Sequence, residues 1–159
     1  MMELSEATRA RFAREVAKYP PDQKQSAVMA CLAIVQNEEG HVSPEAEEAV
    51  AAYLGMPPIA VYEVASFYAM YNLNPVGRHK LTVCTNLPCA LSGGTTAAAY
   101  LKSRLGIDFN ETTADGRFTL KEGECMGACG DAPVLLVDNK RMVSWMSDDK
   151  LDRLLDDLK

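Results

Sequence analysis

The sequence predicts a mixed α/β chain in two parts: an N-terminal helical bundle over residues 1–76, then a small domain with a mixed sheet over residues 77–159. Three observations carry this. Apolar residues before Pro75 recur at helical spacing, while after Gly77 short β-rich runs alternate with helical ones. Charge divides at the same place: residues 1–75 hold 5 basic and 10 acidic side chains, and residues 76–159 hold 11 and 12. All but one of the five cysteines lie in the second part. At 159 residues, 48% of them apolar, the chain can build a core.

Ser5 can cap a first helix carrying Phe12, Val16 and Tyr19, stopped by Pro20-Pro21. Asp22 and Gln25 resemble a capping box for a second helix, whose stripe is Val28, Cys31, Leu32 and Val35, with Gly40 as C-cap. Ser43-Pro44-Glu45 opens a third helix ending at Leu54-Gly55. A fourth follows Met56-Pro57-Pro58 and carries Val61, Val64, Ala65, Phe67, Tyr68 and Tyr71, the three aromatics reading as core of the bundle or as the place where it meets the sheet, until Asn72–Pro75 ends it. The second part begins with a strand at Lys80–Cys84 and a loop at Thr85–Cys89, where Pro88 biases Leu87 away from helix. Next come a helix from Ser92 to Leu105, a strand at Phe118–Glu122, and a hairpin of Val134–Val137 and Met142–Trp145 around Asp138–Arg141. Asp148–Leu158 closes the chain as a helix with Leu151, Leu154, Leu155 and Leu158 on one face. This β-α-β-β-β-α order fits a small thioredoxin-like sheet with helices packed on it.

Composition narrows the function. A net charge of −6 argues against nucleic acid or an anionic membrane as main partner. No run of about 18 apolar residues is present to span a bilayer. The start, MMELSEATRARFAREV, lacks the apolar stretch of a signal peptide, so a reducing cytoplasm is the expected compartment. No dinucleotide fingerprint, P-loop or nucleophile elbow is present, and Gly93-Gly94 alone is a weak phosphate signal. No catalytic residue is expected.

The chemistry lies in Cys84, Cys89, Cys125 and Cys129, spaced C-x4-C, then 35 residues, then C-x3-C, each pair at the end of an expected strand. Three chemistries use four thiols. Disulfides suit a secreted chain, and a thiol–disulfide redox site favours C-x-x-C. A structural zinc module usually takes pairs two to four residues apart, and these pairs sit at the loose end of that range. A cluster with two irons takes two thiolates on each iron, so its loops must wrap a larger object than one ion. Gly127 and Gly130 could let backbone N–H groups turn toward sulfur.

Other motifs accompany the cysteines: Ser66-Phe67-Tyr68, Gly77-Arg78-His79, Cys84-Thr85-Asn86, Thr113, Asp115-Gly116, Phe118-Thr119-Leu120, Glu124 to Cys129, and Ala132-Pro133. With them the chain resembles the thioredoxin-like [2Fe–2S] subunit of respiratory NADH:quinone oxidoreductase (complex I) over nearly its whole length. Gly130-Asp131 departs from the pattern, which often has a larger residue and an asparagine there. The resemblance implies one [2Fe–2S] cluster per chain on Cys84, Cys89, Cys125 and Cys129, and electron transfer within a multi-subunit enzyme. It also implies docking on the flavin- and NADH-binding subunit, with the cluster near the flavin, and attachment to the inner membrane only through the complex. Related subunits occur in NAD-linked hydrogenases and formate dehydrogenases. Cys31 reads as a buried small hydrophobe, and His41 and His79 as surface or hydrogen-bonding residues. Met126 reads as packing, the Asp148-Asp149 and Asp156-Asp157 acids as a solvated helix face, and Pro133 stands where such folds often hold a cis proline.

Overall fold

A computed structural model describes residues 3–158. The chain divides into two compact units, Met1–Pro75 and Val76–Lys159.

The first unit is built from helices whose ends obey local chemistry. Helix α1, Glu6–Val16, starts on Ser5, whose hydroxyl accepts the Thr8 N–H at 3.0 Å. It stops short of Pro20-Pro21, and those prolines open a 3-10 turn, Pro21–Ala27, instead of a capping box at Asp22. That turn lacks a side-chain cap, and Gln23 breaks its helical geometry, so α2 begins only at Val28 and runs to Glu39. Helix α3 spans Pro44–Leu54, with Ser43 accepting the Ala46 N–H, and Gly55 in the left-handed region ends it. Helix α4, Pro58–Phe67, ends earlier than its aromatics suggested, because Tyr68 turns to extended backbone. Of the three aromatics, two lie outside the bundle core: Phe67 is 79% exposed and Tyr68 40%. Tyr71 is buried and its hydroxyl donates to the Met29 carbonyl at 2.8 Å. Around Phe12, Leu32, Val35, Val50 and Val61 the core is closed. Each such side chain contributes about 1.5–3 kcal/mol relative to exposure.

The second unit has a four-stranded mixed sheet in the order β2-β1-β3-β4. Strand β1 is His79–Cys84, β2 Phe118–Gly123, β3 Leu135–Val137 and β4 Arg141–Val143. Strands β1 and β2 pair in parallel, from His79 opposite Phe118 to Cys84 opposite Gly123; β3 runs antiparallel to β1. Val137 pairs with Arg141, so residues 138–140 form the turn between β3 and β4, with Asp138 and Asn139 at positive φ and the Lys140 N–H donating to the Val137 carbonyl at 2.9 Å. The parallel pair is joined through helix α5, Leu87–Leu91, and helix α6, Gly94–Leu105. Ala97, Ala98 and Leu101 of α6 share a core with Leu81, Val83, Leu120 and Leu135 of the sheet. Helix α7, Asp148–Asp157, adds Leu151, Leu154 and Leu155 to that core. Its C-terminal carbonyls are capped by Arg117, which donates to Leu155 and Leu158. Among the described residues no helix is long and apolar enough to cross a membrane.

Candidate metal centre

Parallel pairing brings the two cysteine loops together. Cys84 is the last residue of β1 and stands opposite Gly123, the last of β2, so the chain leaves both strands at the same end of the sheet. The exits are tied: Thr85 N–H donates to the Gly123 carbonyl at 3.2 Å, and the Cys84 thiol lies 3.7 Å from the Glu124 carbonyl it donates to. A third segment closes in from β3, where the Val134 carbonyl accepts the Cys84 N–H at 3.1 Å.

The first loop differs from its expected form. Helix α5 replaces most of the Thr85–Cys89 loop, and α6 starts at Gly94, two residues after Ser92. Asn86 accounts for this: its side chain accepts the Leu87 N–H at 2.7 Å and its carbonyl accepts the Ala90 N–H at 2.8 Å. Pro88 then sits in a first turn, where its missing N–H costs nothing, and the bias it places on Leu87 is overridden. The turn carries Cys89 inward beside Cys84, and both are about 2% exposed. Around them lie Val134 and the partly buried Met126, Ala128 and Ala132. Burial pushes the Cys89 thiol up, a hydrogen bond from the Val134 backbone pulls it down, and the adjacent Cys84 pushes it up again.

Gly94 sets how closely α6 approaches. A methyl group there would sit 2.8 Å from both the Cys84 and the Cys89 carbonyl oxygens. Gly93-Gly94, a weak phosphate signal in the sequence, is thus the close packing of a helix on the first cysteine loop.

The second loop is the open side. Cys125 and Cys129 are both exposed. Gly127 has φ of +70° and turns its N–H onto the Cys125 sulfur at 3.4 Å. Gly130 is not in the left-handed region, so the backbone role expected of both glycines is seen at Gly127 alone. A single 3-10 turn, Cys129–Asp131, follows, and the Ala132–Pro133 peptide is cis.

The remaining candidates lie elsewhere. His79 is at the opposite end of β1 from Cys84, with Nδ1 2.9 Å from Asp138 Oδ2 and its buried Nε2 unpartnered. His41 Nδ1 lies 3.3 Å from the Glu39 carbonyl. Cys31 is buried in the first unit, where burial, with the Glu15 carboxylate adding to it, pushes its thiol up to about 12.

Two buried thiols and two exposed ones, with amide N–H groups from Val134 and Gly127 on sulfur, form a donor set suited to thiolate-bound iron. Among the described residues no three His, Cys, Asp or Glu side chains converge on one ion-sized point. The Gly127 donor is one the glycine itself points to, whereas the Val134 donor is a backbone group that no side-chain pattern in the sequence singles out. Asn86 is readable in the sequence only as one residue of a motif.

The fold and the thiols define a class, thioredoxin-like iron–sulfur proteins. A family model, thioredoxin-like [2Fe–2S] ferredoxin, matches residues 12–159, and the chain belongs to that family. It is 42% identical over 144 residues to an NADH-quinone oxidoreductase subunit of Rickettsia prowazekii, covering 89% of this chain and 80% of that protein. To NADH-quinone oxidoreductase subunit 2 of Thermus thermophilus it is 41% identical over 139 residues, covering 87% and 77%. The crystal structure of an NAD+-reducing [NiFe]-hydrogenase in the H2-reduced state matches with a TM-score of 0.70 at 20% identity. That match covers 83% of this chain and 22% of the hydrogenase chain, and it speaks to the fold.

Proposed function

We propose that this chain is the electron-carrying subunit of a multi-subunit NADH:quinone oxidoreductase, with one [2Fe–2S] cluster on Cys84, Cys89, Cys125 and Cys129. The observation that carries the reading is identity above 40% to NADH-quinone oxidoreductase subunits across nearly nine-tenths of the chain. The four thiols at the exits of one parallel strand pair support the ligand set.

When bound, a [2Fe–2S] cluster takes up and returns one electron at a time. The chain's own residues provide the setting. Cys84 and Cys89 approach from the apolar side, where Val134 and Met126 exclude water. Backbone N–H groups of Val134 and Gly127 offset negative charge on the sulfurs and so favour the reduced form. Cys125 and Cys129 face solvent, the side from which a redox partner can come close. That partner is the flavin- and NADH-binding subunit, through which the chain associates peripherally with the membrane. The hydrogenase match, at 20% identity, does not move the assignment to a hydrogenase.

The test is a visible spectrum of anaerobically purified protein with iron, labile sulfide and zinc assayed on the same sample. Two irons and two sulfides per chain, bleached by dithionite, are expected. Cys125→Ser should lose or destabilise the colour, while Cys31→Ser should keep full iron content. A colourless protein holding one zinc, or an unaltered Cys125→Ser variant, overturns the assignment.

A further inference from the structure

The loop that carries Cys129 ends on a carboxylate held in place from the far side. Asp131 closes its 3-10 turn by donating its N–H to the Ala128 carbonyl at 3.0 Å. The segment between β4 and α7 is stitched onto the same stretch. Trp145 N–H donates to the Asp131 carbonyl at 2.9 Å, Met146 N–H to the Pro133 carbonyl at 3.1 Å, and the Ser144 hydroxyl to Asp131 Oδ2 at 3.3 Å. Trp145 takes φ of +49° in doing so, a region that bulky residues avoid. Its side chain is 62% exposed, so burial of the indole does not account for that backbone.

The half-buried Asp131 carboxylate receives only this one hydroxyl; among the described residues no lysine or arginine forms an ion pair with it. Lys150, in the first turn of α7, directs its ammonium to the Ser144 carbonyl at 2.7 Å and lies over the Trp145 ring. A fixed negative charge in a half-buried turn is screened less than one in open water. Reduction adds an electron to a centre already negative, so a carboxylate nearby opposes it.

We propose that Asp131, positioned by Ser144 and Trp145, holds down the reduction potential of the iron–sulfur centre ligated two residues away at Cys129. The inference rests on the ligand reading above. Glu124, beside Cys125, is the comparison: it is exposed, and water screens it more.

The experiment is a redox titration of the purified full chain, followed by visible absorbance, after iron and sulfide have been assayed in each variant. Asp131→Asn keeps the shape and removes the charge, and should raise the midpoint potential; Glu124→Gln should raise it less. Ser144→Lys brings an ammonium to the same carboxylate from a position outside the cysteine loop. It too should raise the potential, which gives a reading even if Asp131→Asn holds little iron. Iron-loaded Asp131→Asn or Ser144→Lys with the wild-type potential overturns this inference alone. A wild-type chain without iron overturns the ligand reading and this inference with it.

Discussion

At the scale of single residues, the thiols and their helpers are unequally legible. Cysteine spacing marks Cys84, Cys89, Cys125 and Cys129 directly, and an apolar stripe marks Cys31 as core. Of the backbone N–H groups that point at sulfur, Gly127 is marked by its glycine, whereas Val134 acquires its direction only in the fold. Lys80 is illegible too, because strand alternation does not announce a buried ammonium. It is 4% exposed, and burial lowers its pKa to about 8, with Lys121 adding to the effect and Asp138 opposing it. The unfolded chain therefore binds more protons between about pH 8 and the ordinary lysine value of 10.5. Stability attributable to this group is lowest below pH 8 and rises as pH climbs through that window. Lys80→Met should stabilise the protein at pH 7 by up to about 3 kcal/mol, with the gain fading toward pH 10.5. Denaturant unfolding of both proteins at pH 7 and pH 10 checks this; an equal gain at both pH values would contradict it.

At the scale of elements, sequence reading succeeded where a local signal had no competitor. Glycines closing α2, α3 and α6 all take left-handed backbone, as C-caps do. It failed at α5, which is only five residues long, too short for a periodic stripe, and starts beside a proline that argues for extended backbone. It also ran the fourth helix past Phe67, because helical spacing does not reveal where a helix stops. The α6–loop contact yields a sharp expectation. Gly94→Ala would force a methyl group onto the Cys84 and Cys89 carbonyls, so the loop or the helix must shift. Overpacking of this kind costs about 1–3 kcal/mol. We expect lower thermal stability and reduced iron content, whereas Gly106→Ala, with open space around it, should lose stability through its left-handed φ and keep its iron. Thermal melts with parallel iron assays distinguish the two.

At the scale of the whole molecule, the chain is two units with separate cores, and the thiols of the proposed ligand set all belong to the second. The helical unit is not needed to deliver any of those four thiols, which makes it a candidate for docking. Deleting residues 1–75 should therefore leave the cluster spectrum intact and abolish association with the flavin-bearing subunit. Co-purification of the truncated chain with that subunit would refute the docking role.

The parallel register of β1 and β2 also separates two kinds of spacing. Thirty-five residues lie between Cys89 and Cys125 along the chain, yet the strands that lead to the two loops end side by side. Much of that interval is helix α6 and the excursion from Gly106 to Arg117, which returns the chain to the start of β2. Residues added to or removed from that excursion lengthen or shorten a detour without changing its two ends. The count between the cysteine pairs is thus a property of the route, and the ruler that sets how close the two loops come is the single hydrogen-bonded step between neighbouring strands.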